Sequence, residues 1–586
     1  MRDFSRVCKN IVIAFLAVLT LPLLSACGAE KQGENLYNQD LPVLNRTNHP
    51  VNDSDEVMPD LKEIEKKEKV EEGGLLQWDD RYLYTVKGNQ LLIAQIMPVD
   101  EMKILQVVEI EDGFYPVDLF VEGRHLALIG TVEKDRAVYE DSVEQDRAFF
   151  TPASVKALVY EIDDYFQLQL KRKVLLEGRY LSSRRVGAVL YLIANRSRSY
   201  HPSEGDQKEV WSAFFDTASA ENPAVIDVPE IHYFPYYVEP EYLLVASFNM
   251  LQHEQKAQIA AYLGAGEYVY ASPKNLYVAV TQYNPKNPLI VAPEQERVNP
   301  LGSLTLDEHT SIYKFAIQDG KLVFKGQGTV PGTLLHRYSM DEQEGKLRIV
   351  TTKGNPWVEG EGGARQQLYL LDETLSIAGK LEEIAPGEQL TTLCFLDKEI
   401  FLVTFQEEST LHRIAIETDS KVLNLTKIMH FPGYYNLLYP YGDRSLLGLG
   451  KDKGILLSFF DLSDPDQPVS NEKFVERVGH YGSDTPLFRD QHSLFIGKDS
   501  KIIAFPVKIT EEDKEKEAFF GFYVYRFDEE KGFHLMGKIE EAQKDWEEGW
   551  TGRIFTIEKN FYTVSPSKVQ VFGLEQLEYR GELRFP

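Results

Sequence analysis

Apolar and polar positions alternate along this chain in short blocks. Runs rich in Val, Ile, Leu, Phe and Tyr are framed by Asp, Gly, Lys or Asn, which reads as strands separated by turns rather than as helices. One form of run recurs nine times: "RYLYTV" from Arg81, "RHLALI" from Arg124, "VLYLIA" from Val189, "NLYVAV" from Asn275, "KLRIVT" from Lys346, "EIFLVT" from Glu399, "SLLGLG" from Ser445, "SLFIGK" from Ser493 and "NFYTVS" from Asn560. Each is followed by a second strand-like run, such as "KALVYEID", "QLYLLD", "LHRIAIE" or "KVQVFGL". The shortest spacings between openings, 43, 46 and 48 residues, fit the roughly 40–50 residues of a four-stranded propeller blade. Longer spacings mark insertions at 135–154, at 199–210 with the aromatic "HYFPYYVEPEY" after it, and at 284–302.

A blade buries its faces only against neighbouring blades, so the ring must close to remove its open sides. The pattern therefore predicts an all-β fold, a single large β-propeller of eight or nine four-stranded blades over residues 71–586. Eight stays open because the terminal unit can complete the first blade.

Two segments precede the repeats. Arg2, Arg6 and Lys9 lead into the uncharged run Ile11–Ala26, the layout of a secretion signal and too short for a spanning helix. This signal, 1–26, closes on Leu24-Ser25-Ala26-Cys27. From 27 to 70 the chain is polar, ending in the charge-alternating "KEIEKKEKVEE" of Lys62–Glu72, and reads as a flexible tether with solvated helical turns at most.

Net charge is −28, which excludes a phosphate-binding surface and makes nucleic acid an unexpected partner. Of three cysteines, Cys8 lies in the signal and Cys27 at its end, leaving Cys394 in a strand-like run. No disulfide is expected within the mature chain, and Cys394 reads as a core residue.

Two resemblances are specific. Leu24–Cys27 resembles the lipobox of bacterial lipoproteins, which implies that Cys27 becomes the lipidated mature N-terminus and holds the protein, acylated, on the outer face of a membrane. The repeats, on "SSRRVGAVLYLI" (Ser182–Ile193), "YSMDEQEGKLRIVTT" (Tyr338–Thr352), "IAPGE" (Ile384–Glu388), "LYPYGDRSLLGLGKD" (Leu438–Asp452) and "LSFFDLSDPDQP" (Leu457–Pro468), resemble a bacterial family of secreted proteins with a C-terminal beta-propeller domain, distantly related to WD-repeat propellers. The resemblance implies fold and export and carries no established reaction.

Chemical motifs are sparse. There is no HExxH, Walker-type loop, G-x-S-x-G elbow or C-x-x-C, and the histidines lack metal-ligand spacing, so no catalytic residue, metal or cofactor is expected. "GLGKDKG" (Gly448–Gly454) reads as a turn, and Asp461, Asp464 and Asp466 read as a blade turn before they read as a calcium site. The densest stretch is Ser339–Glu342 with Arg337 upstream; Arg184 takes the corresponding place in another blade. Because the strand opening a blade lies nearest the axis, Arg184, Arg337, Asp341 and Glu342 are expected toward the channel mouth of neighbouring blades, either binding a polar ligand or bridging blades. Tyr233, Phe234, Tyr236 and Tyr237 form a second candidate, an aromatic loop for partner or sugar contact.

These readings add up to a monomeric lipoprotein, extracytoplasmic and anchored to the cell membrane through Cys27, on a Gram-positive surface by preference. Its propeller is expected to be a non-enzymatic binding or scaffolding module for a cell-envelope protein or polymer. The alternative is a propeller enzyme acting on sugars or cell-wall polymer, or using an axial cofactor.

Overall fold

The computed structural model describes residues 70–586 apart from 73, 134–152, 198–212, 220–223, 227–230, 234–240, 286–305, 356–357, 359–361, 417–422, 443, 464–471, 511–518 and 543–551. The described residues form nine antiparallel sheets arranged as the blades of one propeller, with 3-10 turns and no α-helix. Strands within a blade are lettered a to d in chain order, a nearest the axis. Blades 1 to 9 span 76–109, 114–177, 179–263, 268–331, 340–384, 389–431, 434–478, 495–540 and 553–584. The count is nine: the first and last blades each supply four strands of their own.

The inner strands of a blade are apolar on both faces because each blade is sandwiched between two others. Strand b of blade 6 (Glu399–Phe405) buries its five central residues in succession, whereas strand d of blade 8 (Gly532–Glu540) exposes much of its length. The repeated sequence motif is strand b in eight of the nine units, not the strand that opens the blade. The reason is physical: strand b is buried on both sides and must be a continuous apolar run, while strand a varies from three to nine residues and follows no common pattern. Only "SLFIGK" contains a strand a, Phe495–Gly497. Turns between strands carry the residues their geometry requires. Asp319 and Gly320, with φ of 50° and 74°, close the c–d hairpin of blade 4 as a two-residue turn with both residues left-handed.

Nine apolar layers lie between successive blades, and the ring closes through the layer between blades 9 and 1. There Leu83, Ala94 and Ile96 pack on Phe555, Tyr562, Val569 and Val571, and Trp78 stacks on Phe555 with centroids 4.4 Å apart. The Tyr562 hydroxyl donates to Ile96 O at 3.2 Å. No strand is shared across this seam among the described residues; side-chain packing closes it.

Blades 2 and 3 carry extra strands. Part of the blade 3 insertion, Ala213–Asp216, pairs with strand d of blade 2 (Leu168–Glu177), and Ile231–Tyr233 runs parallel to strand d of blade 3 (Gln258–Leu263). Asp216 is locked by Arg172, which donates to it from Nε at 3.0 Å and Nη2 at 2.8 Å with both side chains buried.

Candidate functional site

The charged candidates lie on the axial elements of blades 3 and 5. Strand a of blade 3, Arg179–Val186, contains two adjacent arginines, and adjacent strand residues point to opposite faces. Arg184, 1% exposed, turns toward blade 4 and donates to Ser183 O at 2.7 Å and Val269 O at 3.4 Å. Arg185, 6% exposed, turns toward blade 2, where it pairs with Glu122 and donates to Gly187 O at 2.8 Å. Beside them the buried Asp118 of blade 2 accepts from the Tyr180 hydroxyl and from Ser183 Oγ. Burial, followed by the Asp118 charge, pushes the Tyr180 phenol well above its ordinary pKa.

The axial edge of this strand is not open. Val70–Glu72 pairs antiparallel with it, setting Val70 across from Val186, Glu71 from Arg185 and Glu72 from Arg184. The chain then crosses to blade 2, where Leu119 N donates to Gly74 O at 3.1 Å, before starting blade 1 at Leu76. Val186 adjoins the a–b turn, so Val70 lies at the a–b end of strand a. The b–c connections lie on the other side, and the long ones, 134–152, 198–240 and 286–305, belong to the consecutive blades 2, 3 and 4.

The second group of candidates lies in blade 5, with blade 4 between it and Arg184. Arg337 opens the 3-10 turn Arg337–Ser339, packed against strand a of blade 4 (Tyr268–Ala271) and of blade 6 (Gln389–Leu396). It is 7% exposed, lies over the Tyr338 ring at 5.0 Å and donates to the Tyr338 hydroxyl at 3.2 Å. His336 precedes it; its Nδ1 is sealed from solvent without a hydrogen-bond partner, and burial lowers its pKa to about 4.

Asp341 and Glu342 sit in strand a of blade 5, Met340–Gln343. Asp341 accepts from Arg348 Nε at 2.9 Å, and the same guanidinium donates to Gln343 at 3.0 Å, reaches Asp397 O of blade 6 and covers the Phe395 ring. Glu342 reaches blade 4, accepting from Ser272 Oγ at 2.6 Å and Asn275 Nδ2 at 2.8 Å, while its backbone N–H donates to the Tyr270 hydroxyl at 2.9 Å. Burial and then the Asp341 charge raise the Tyr270 phenol above its usual range.

The four charged candidates therefore lie on axial elements of blades 3 and 5, buried or half-buried: Arg184 and Glu342 bond to blade 4, Asp341 is held by Arg348 of its own blade, and Arg337 lies on the adjacent Tyr338. Sequence reasoning did not single out Asp118, Glu122, Tyr180, Ser272, Asn275 or Arg348; the pairing of distant blades makes the first five partners, while Arg348 lies directly across the a–b hairpin from Asp341. Tyr233 lies in the added strand Ile231–Tyr233, and Phe234, Tyr236, Tyr237 and the lipidation candidate Cys27 lie outside the described residues. Asp464 and Asp466 do too, while Asp461 Oδ1 accepts from Ser463 N at 3.0 Å in an ordinary turn. "GLGKDKG" forms the end of strand b and the b–c hairpin of blade 7. Cys394 is buried in the layer between blades 6 and 7, and burial pushes its thiol pKa up. Among the described residues no three His, Cys, Asp or Glu side chains are placed to hold a metal ion.

Comparison with known proteins supports the architecture. An uncharacterized protein of Methanocaldococcus jannaschii is 29% identical over 282 residues, 47% of this chain and 40% of that protein. An uncharacterized protein of Archaeoglobus fulgidus is 27% identical over 280 residues, 47% of this chain and 39% of that one. The match thus spans about two fifths of the length of these archaeal relatives. The solved periplasmic gluconolactonase of Pseudomonas aeruginosa is 11% identical, with a TM-score of 0.31 over 58% of this chain and 91% of that one, too distant to bear on function. From residue 65 to 577 the sequence matches the beta propeller domain family, and with the ring and its nine blades in view, the chain belongs to that family.

Proposed function

We propose that this protein is an extracytoplasmic lipoprotein, anchored through Cys27, whose propeller is a non-enzymatic binding or scaffolding module for a cell-envelope protein or polymer. The observation that carries the reading is topological. Val70, paired with Val186, lies at the a–b end of strand a, while the strands that flank the long b–c connections of blades 2, 3 and 4 meet them at the opposite end. A tether joined to a bilayer at the a–b end leaves the b–c ends of these blades free for recognition, the role loops on a rigid scaffold serve. The engagement of Asp341 by Arg348, and of Glu342 by Ser272 and Asn275, favours a structural over a catalytic use of these carboxylates.

Two measurements test it. Cys27→Ala is expected to abolish partitioning into the detergent phase and to leave unprocessed or released protein; equal partitioning of both forms would remove the lipid anchor. Purified wild-type protein is then sedimented with isolated cell-wall glycan while release of reducing ends is followed. Binding without release supports the scaffold reading, release turns the protein into the enzyme of the alternative, and neither removes the wall polymer as its target.

A further inference from the structure

We propose that a cavity in the layer between blades 1 and 2 is a binding site for a short-chain monocarboxylate, its apolar body lodged among leucines and its carboxylate held by Tyr160 and Lys173. The proposal does not rest on the anchoring or scaffold reading. The cavity has a volume of about 130 Å³ and reaches the surface beside Leu170, which is 43% exposed.

The register of blade 2 shapes this space. Strand c (Ala153–Ile162) pairs with strand d (Leu168–Glu177) so that Leu158 faces Lys173 and Tyr160 faces Leu170, which leaves Lys171 as the extra residue of a bulge. The bulge turns Leu170 to the same side as Lys173, three positions away, and both line the cavity with Leu158 and Tyr160. Arg172 points the other way, into the seam with blade 3, where it meets Asp216 and covers the Phe248 ring. Blade 1 contributes Leu91 of its strand c (Gln90–Gln95) and the chain from Val108 to Glu111, at and past the end of its strand d (Lys103–Glu109).

The inner wall is apolar. Leu91, Leu128 and Leu158 are buried and offer no hydrogen bond, whereas a water held in a cavity needs about two to four polar partners. An apolar cavity of about 150 Å³ takes benzene, so this one takes a body of about five or six carbons.

The polar edge selects the head group. Glu111 is paired with Lys156, and Glu109 accepts from Gln90 Nε2 at 2.6 Å. The Lys173 ammonium and the Tyr160 hydroxyl have no partner among the described residues. Lys173 is fixed by its backbone, whose N–H donates to Thr217 Oγ1 and whose carbonyl accepts from Thr217 N, both at 3.1 Å. Burial and then the Glu111 charge push the Tyr160 phenol up to about 12, so it stays a donor at neutral pH. Two free donors at the rim of an apolar space, one of them charged, suit a carboxylate, which accepts from both. An amine in the same place would meet the Lys173 charge.

The test uses the full chain and titration calorimetry at neutral pH. Hexanoate is expected to bind at a single site with a Kd in the millimolar range or tighter. Hexanol, with an apolar body of similar length and no charge, is expected to bind on the order of tenfold more weakly, because it gives up hydrogen bonds to an ionised head group. Hexylamine is expected not to bind. Lys173→Met keeps the stem and removes the charge, and is expected to weaken hexanoate on the order of tenfold while leaving hexanol unchanged. Leu170→Trp fills the mouth and is expected to abolish binding of both; an unchanged urea midpoint shows that this variant is folded. Absence of hexanoate binding overturns the proposal, as does hexanol or hexylamine binding as tightly as hexanoate. Hexanoate affinity unchanged in Lys173→Met, or in folded Leu170→Trp, overturns it too.

Discussion

The seam between blades 2 and 3 and the seam between blades 6 and 7 occupy equivalent places in one ring and are closed by different chemistry. The first adds charged clamps to its apolar layer: Arg185 with Glu122, Asp118 with Tyr180 and Ser183, and Arg172 with Asp216 holding the added strand. The second is nearly all apolar, with Cys394, Phe401, Phe431, Tyr435, Leu456 and Phe460 in one layer. Its rings meet at 4.8 Å for Phe431 and Tyr435 and at 5.3 Å for Phe431 and Phe460. Hydrophobic burial is non-directional, so an apolar seam holds two blades without specifying what else sits beside them. Charged clamps stabilise less per group but demand one register. The added strands, the axial strand and the longest b–c connections are all found at the clamped seams.

The largest effect is expected at the apolar seam. Phe460 is fully buried, and Gly448 lies so close that a Cβ there would come within 2.7 Å of its ring. The layer is packed without slack, and Phe460→Ala is expected to cost about 3–5 kcal/mol of stability, read from urea unfolding. A loss below about 1 kcal/mol would mean that the blades close up around the gap and that the seam is not the rigid one.

At a clamped seam the loss should be smaller and specific to charge. Asp341→Asn with Glu342→Gln keeps the shape of blade 5 but weakens the donors' acceptors, and is expected to cost about 2–4 kcal/mol, because Arg348 is left buried beside a neutral group. Its readout pairs the urea midpoint with binding to cell-wall glycan. Lost binding at unchanged stability would make these carboxylates a ligand site and break the comparison, since the clamps would then not be holding blades.

How far the sequence exposed this difference depends on which residues are local. The strand b motif was legible because double-sided burial forces a continuous apolar run such as "EIFLVTF", whatever the neighbouring blade contains. Counting these runs left eight or nine blades open, and nine is the number formed; Cys394 followed from its apolar surroundings. The clamps were only half legible. Arg184 and Glu342 stood out as charges in strand-like segments, but their partners Val269, Ser272 and Asn275 lie 67 to 85 residues away in sequence, and no local period links them. The axial strand was hidden for another reason: "KVEE" is short, polar and charged, so alone it reads as tether. Val70–Glu72 is a strand only by pairing with the distant strand Arg179–Val186.

The smallest effect at neutral pH, and the one that most sharpens the comparison, concerns His336 beside the blade 4–5 clamp. Its ring meets Tyr338 edge-on at 5.3 Å, and Nδ1 is sealed from water with no partner. Burial lowers its pKa to about 4, against about 6.5 in an unfolded chain. Between those two values the unfolded state binds the proton and the folded state resists it, so stability falls as pH drops through 6.5 and levels off below about 4. Above 6.5 the ring is neutral in both states and contributes no pH dependence. His336→Gln removes the titration, so its urea midpoint at pH 7 should lie near that of wild type while its decline toward pH 4.5 is shallower. Identical pH slopes in the two proteins would show that His336 protonates freely in the folded ring, and the turn Arg337–Ser339 would then have to open readily to water.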